Sequence, residues 1–203
     1  MFCLVRRNAP GTARHAAEIT RLVQATLGTL NLQAVHGFQS FWGLASDDDG
    51  ERLASASFYA DKRAASAASS VIEVWARTHA RQLLPHPPEV FLGECFVHEA
   101  PEPPRDASVY CSIRSIRAWR AGSEGPIAEW VRRSLAGIVG EDGFRGSAAF
   151  LDEASGDVIA VTLFDTRDRA RHGHGLPGGA LWATTGKVAV AARTWDELGK
   201  GVW

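Results

Sequence analysis

Residues 2–8 and 109–117 alternate in polarity with a period of two, which predicts a strand in each stretch. Each is followed by a helical pattern at i, i+3, i+4, i+7, i+8 and i+11. In the first the positions are Ile19, Leu22, Val23, Thr26, Leu27 and Leu30, in the second Ile127, Trp130, Val131, Ser134, Leu135 and Ile138. The spacing predicts amphipathic helices over about 12–31 and 123–139. Thr12 and Ser123 are the predicted N-caps, and Pro126 falls in a first turn, where its missing N–H costs nothing. Two strands joined by a tight turn come next, 37–46 to 51–59 and 143–152 to 157–164, with Asp49-Gly50 and Ser155-Gly156 as hairpin signals. A second helix from about 62 to 83, capped by Asp61, and a strand over 89–98 complete the first set. The second set closes with a strand near 186–195.

The two sets are copies of one unit. Phe2-Cys3-Leu4-Val5-Arg6 returns as Tyr110-Cys111-Ser112-Ile113-Arg114, and every helix position above returns 108 residues later. From Gly37-Phe38 and Gly143-Phe144 onward the offset is 106, read as holding through Gly50/Gly156 and Phe58/Phe164. A repeat of this length governs the architecture. Strand-helix-strand-strand-helix-strand is the ferredoxin-like order. Phe38, Trp42 and Leu44 are read on one side of their strand and Phe41 on the other, so a sheet of this kind needs a second layer over its helix-free face. The expected fold is therefore α+β, with two tandem ferredoxin-like repeats whose antiparallel sheets pack into one intrachain barrel. Repeat 1 is expected over 1–98, a proline-rich linker over 99–107 and repeat 2 over 108–203. The second helix of repeat 2 is eroded: after Thr166-Arg167-Asp168-Arg169-Ala170 come His172-Gly173-His174-Gly175-Leu176-Pro177-Gly178-Gly179, which cannot sustain a helix. The two pockets must then differ, and at most one is expected to be the working site.

Composition narrows the class more than the reaction. The 203 residues are 45% hydrophobic and 22% charged, with a formal charge of −1, as in a globular protein with no electrostatic pull toward nucleic acid or anionic membrane. Four apolar residues, Phe2 to Val5, are too few for a signal-peptide core, and no run is long enough to span a membrane, so a cytoplasmic location is expected. Three cysteines without a Cys-x-x-Cys are read as small apolar side chains, Cys3 and Cys111 at equivalent places. The barrel would form within one chain, making a monomer by internal pseudo-dimerisation, with further dimerisation left open.

Several groups could carry chemistry. Arg6 and Asn8 are read on one face of the first strand, and Trp75 and His79 lie one turn apart on the second helix. Trp75 could equally be a core anchor and His79 a helix-end residue. Glu94, inside an apolar strand, would be an ion-pair partner, an exposed edge residue or a base of raised pKa according to its surroundings. His172 and His174 have no further ligand at metal-binding spacing, and the glycines around them lack the strand and helix that a dinucleotide site needs. Trp42, Trp75, Trp119, Trp130 and Trp182 could line a flat apolar pocket or fill interfaces.

The chain resembles a known superfamily in four features. These are the first strand and helix, Gly37-Phe38 opening the second strand, the run Ala54-Ser55-Ala56-Ser57-Phe58-Tyr59-Ala60-Asp61-Lys62-Arg63 into the second helix, and Pro87-Pro88-Glu89-Val90 before a strand with Gly93-Glu94. The pattern is similar to the dimeric α+β barrel superfamily, its antibiotic-biosynthesis-monooxygenase-like branch above all, and to small bacterial proteins of no known activity. The resemblance implies a ligand pocket between sheet and helices. It also implies a cofactor-independent oxygenase acting on a small aromatic or polyketide-like molecule, with Arg6, Asn8, Trp75 and His79 as the catalytic set and neither cofactor nor metal. Two alternatives stand beside it: a non-catalytic module for a small hydrophobic ligand, and a haem-binding or haem-degrading protein using Asn8, Trp75 and His79, although the Trp–His spacing departs from that pattern. Shared fold does not transfer function.

Overall fold

The computed structural model describes residues 1–26, 36–46, 51–99, 108–117, 124–172 and 180–192. Eight antiparallel strands close into a barrel in the order β1-β3-β2-β8-β5-β7-β6-β4. In chain order they are β1 (Phe2–Arg7), β2 (Phe38–Ser46), β3 (Leu53–Tyr59), β4 (Glu89–Glu99), β5 (Tyr110–Ile116), β6 (Phe144–Leu151), β7 (Val158–Phe164) and β8 (Ala180–Ala192). The helices are α1 (Ala16–Thr26), α2 (Lys62–His79), α3 (Glu124–Ile138) and α4 (Arg167–His172). Each repeat contributes a four-stranded sheet, β4-β1-β3-β2 and β8-β5-β7-β6. The two sheets join where the last strand of one meets the second strand of the other, β4 with β6 and β8 with β2. Closure leaves no open edge.

Alternation along the strands sorts side chains into three layers. Cys3, Val5, Trp42, Leu44, Phe58, Cys111, Ile113, Phe150, Ile159 and Leu163 fill the barrel. Leu4 and Tyr59 face outward and pack on Ala64, Ala65 and Ala68 of α2. Phe164, Val158 and Ala160 do the same beneath Val131, Leu135 and Ile138 of α3. Glycines mark both seams. Gly93 on β4 and Gly186 on β8 lie opposite the equivalent residues Cys3 and Cys111, and a Cβ on either would overlap a carbonyl oxygen, that of Leu151 or Ala45.

Three readings of the pattern change. Phe38 shares a cluster with Tyr59 on the helix side while Trp42 and Leu44 face the barrel, because a β-bulge between Phe38 and Ser40 shifts the register. Repeat 2 has its counterpart bulge between Phe144 and Gly146. The offset between copies is 106 only as far as β2 and β6. Cys3 pairs with Phe58 and Cys111 with Leu163, so β3 and β7 match at 105, with Tyr59 rather than Phe58 equivalent to Phe164. The edge-on pairs Phe38–Tyr59 (6.0 Å, 71°) and Phe144–Phe164 (5.8 Å, 74°) repeat the same match. A one-residue slip of this kind exchanges the two faces of a strand. Thr12 caps no helix with its side chain: its hydroxyl donates to Ala9 O and accepts from Leu53 N, and a 3₁₀ turn, Ala13–His15, precedes α1.

Elsewhere the boundaries move little. α2 stops at His79 rather than 83, where Leu83 and Leu84 N–H both turn back to Ala80 O. β8 starts at Ala180, earlier than 186. α4 is six residues long, the eroded helix that the glycines and Pro177 imply. Asp49-Gly50, Ser123 and linker residues 100–107 lie outside the described residues. Gly156 takes the φ of +73° that its turn requires.

Candidate functional site

Asp61 caps α2 with its carboxylate on Ala64 N at 2.8 Å, fixing the first turn against the sheet. The alanines that follow let the helix approach closely and bring Ser69 over β1. There Arg6 Nη2 donates to Ser69 O at 3.2 Å and Ser69 Oγ at 2.9 Å. Arg6 is 7% exposed, and no carboxylate forms an ion pair with it among the described residues. Burial lowers its pKa, while Tyr59 and Glu73 pull the other way. Tyr59 is fully buried, and its Oη makes no hydrogen bond. Burial raises the phenol's pKa; the nearby Ser57 hydroxyl, which does not meet Oη in hydrogen-bond geometry, and Arg6 favour the ionised form and offset part of that rise. This layer thus holds, among the described residues, a buried cation whose hydrogen bonds go only to neutral groups, and a buried phenol whose Oη has no hydrogen-bond partner.

The four residues expected to act together are spread along it. Asn8 follows the last residue of β1; its amide donates to Leu53 O at 3.2 Å and its carbonyl accepts from Arg52 Nη1 at 2.9 Å, so it fastens the strand end. Trp75 is buried on α2, six residues beyond Ser69, about 9 Å along the helix axis. His79 is exposed at the helix end, its ring 6.4 Å from that of Trp75. These placements do not fit haem: an axial ligand must face an enclosed space, and the His79 imidazole does not. Among the described residues no three His, Cys, Asp or Glu side chains are grouped to hold a metal. His172 is exposed with Nδ1 bonded to Asp168 O at 2.8 Å, and His174 lies outside the described residues. Glu94 is exposed.

Tyr59 was missed because the 106 offset put Phe58 in its frame. The signal was present in the alternation Ser55, Ser57, Tyr59 against Ala54, Ala56, Phe58. The tryptophans do not converge on one pocket. Trp42 and Trp182 belong to the barrel, Trp130 is on α3 against the cluster beneath that helix, Trp75 is on α2, and Trp119 lies outside the described residues. Within the barrel, Trp42, Phe58, Leu163 and His98 border a free volume of about 10 Å³, room for a water and no larger ligand. Burial pushes the Cys3 thiol well up, with Cys95 and Cys111 acting the same way, and burial alone raises Cys111. Such thiols behave as small hydrophobes.

No known family description matches the sequence, and no curated protein is similar to it. Solved structures are similar in fold. A candidate monooxygenase of Fusobacterium nucleatum has a TM-score of 0.64 at 7% identity, over 92% of this chain and 90% of that one. An anthrone oxidase-like protein has a TM-score of 0.61 at 10% identity, over 94% and 92%. A mutant chlorite dismutase of Candidatus Nitrospira defluvii, in complex with cyanide, has a TM-score of 0.58 at 9% identity, over 100% and 95%. At these identities the likeness is one of architecture: the chain is a closed eight-stranded α+β barrel built from two ferredoxin-like repeats.

Proposed function

We propose that the protein is a monooxygenase-like, cofactor-independent oxygenase that binds a small aromatic or polyketide-like molecule between the first sheet and α2. The observation that carries the reading is Arg6, buried against Ser69 without a carboxylate. A preorganised cation in a dry layer stabilises an oxyanion on a bound, electron-rich ring and keeps water from the reacting carbon. Tyr59 adds an uncommitted donor to the same layer. Trp75 supplies apolar wall, and Asn8 and His79 are positioning residues at the strand and helix ends. The fold likeness to an anthrone oxidase-like protein supports the substrate class.

A second reading is a ligand-binding module without catalysis. It is favoured because Arg6 hydrogen-bonds to neither a carboxylate nor an imidazole, which leaves no evident base. One experiment separates the two. Oxygen uptake with anthrone and with substituted quinols should exceed background, and Arg6→Met should lower kcat/KM about 100-fold, the usual loss of one oxyanion donor. Background uptake with every substrate removes the oxygenase reading; if the same compounds still quench tryptophan fluorescence saturably, the module stands.

A further inference from the structure

The second sheet carries a feature that the first lacks. On its helix face, Thr185 of β8 lies opposite Ser112 of β5, Ser112 opposite Thr162 of β7, and Thr162 opposite Ser147 of β6. Directly opposed residues have Cβ atoms about 5 Å apart, so the four hydroxyls form one row across the sheet. All four are buried. The matching row of the first sheet reads Leu92, Leu4, Ser57 and Phe41. Leu4 and Leu92 there pack against the alanines of the 18-residue α2, whereas the counterpart in repeat 2, among the described residues, is the six-residue α4. Three apolar side chains have thus given way to hydroxyls where the covering helix is shortest.

Arg114 stands one row further along β5, opposed by the short side chains of Ala160 and Ala183. Its Nε donates to Ser112 Oγ at 3.2 Å and its Nη2 to Arg171 O, and it forms no carboxylate pair among the described residues. Thr185 Oγ1 is also within hydrogen-bond distance of Ser112 Oγ, at 3.1 Å, which ties the two hydroxyls into the row. At the far end Ser147, 4% exposed, has a buried Oγ with no hydrogen-bond partner. An alanine there would avoid that desolvation. Beyond it the row reaches the exposed Glu99 of β4, at the end away from Arg114.

We propose that Arg114 and the Ser112–Thr162–Ser147 row form a second binding site, for a small polyhydroxylated anion whose carboxylate or phosphate meets Arg114 and whose hydroxyls run toward Ser147. The site is independent of the oxygenase reading. Calorimetric titration of the intact protein with gluconate, glucose 6-phosphate and glucose tests it; the two anions share a polyol chain and differ in the charged head. At least one anion should bind with one-to-one stoichiometry and at least tenfold more tightly than glucose. Arg114→Gln should abolish that preference, Ser147→Ala should weaken the anion about tenfold, and Arg6→Met should leave it unchanged. Whichever anion binds identifies the head. Without ligand, Ser147→Ala should melt no lower than the wild type, since it removes an unsatisfied group. Absence of binding by both anions at millimolar concentration, binding indifferent to both substitutions, or a lower melting temperature for ligand-free Ser147→Ala would each overturn the proposal.

Discussion

Arg6 and Arg7 are neighbours on β1 and equally buried, at 7% each, yet alternation sends them into opposite surroundings. Arg7 enters the barrel mouth, where Glu89, directly across on β4, meets it at 2.5 Å and the Trp182 ring lies 4.8 Å from its guanidinium carbon. Its charge is compensated within the fold, and a structural role accounts for it. Arg6 has no direct ion pair among the described residues, only the longer-range pull of Glu73 and Tyr59, which is why one of two adjacent arginines marks a candidate site and the other does not. His98 shows the same physics in a group that titrates near neutrality. It packs 5.4 Å from Phe58, and burial lowers its pKa, with Glu99 opposing and the N-terminal amine assisting. The folded state therefore prefers the neutral ring. As pH falls through about 6.5, the unfolded chain takes up this proton first. Stability should fall from there until the pH reaches the lower folded value, and no further on this account. The urea midpoint should drop between pH 7 and pH 5 in the wild type, and His98→Gln should flatten that drop; an equal drop in both would show that the ring titrates alike in the two states.

Between elements, the closest packing lies at the seams. Gly93 and Gly186 occupy equivalent places, and a Cβ at either meets backbone of the opposite repeat first, with the Phe150 ring also in the way at Gly93. Gly93→Ala and Gly186→Ala should each cost about 3 kcal/mol, since the strands must part to accept the methyl group. For a chain of this length that is a fall of about 10 °C in Tm. Gly156→Ala is the contrasting case: φ is +73° but nothing lies within 4 Å, so the backbone strain of about 1 kcal/mol stands alone. Equal melting temperatures for the three variants would show that the seams are loose. Gly93 also illustrates what was legible beforehand. The sequence places it in the last strand, but its obligation arises from Leu151, a partner 58 positions away across a pairing that local pattern does not specify. The helices and strands were readable because periodicity is local. The bulge at Phe38 and the loss of one residue between β6 and β7 were not, because apolar residues on both faces of β2 and β3 blur the alternation that would register the slip. The same blur concealed Tyr59, whereas Arg6 was found because a lone cation in an apolar strand stands out.

At the scale of the whole molecule, the barrel exists only because two sheets share one interior. Trp42, Leu44, Phe58 and Val5 of repeat 1 are covered by Ile113, Phe150, Ile159 and Leu163 of repeat 2. Severing the repeats would expose that apolar face together with the unpaired edges of β2 and β4, a combination that water and open backbone groups make untenable. The near-twofold pairing of β4 with β6 and of β2 with β8 supplies the remedy. Since β6 and β8 are copies of β2 and β4, a second molecule of repeat 1 offers the same partners in the same orientation. Residues 1–99 expressed alone should therefore form a homodimer, with the β4 of each protomer on the β2 of the other, or else aggregate. Light scattering after size-exclusion chromatography distinguishes these outcomes from a dispersed monomer with a cooperative melt, which would mean that the first sheet does not need the second. Co-expression with residues 108–203 should displace the homodimer in favour of a one-to-one complex. The Ser57 row and the Ser112–Thr162–Ser147 row are then brought onto one scaffold, an asymmetry that a homodimer of repeat 1 does not have.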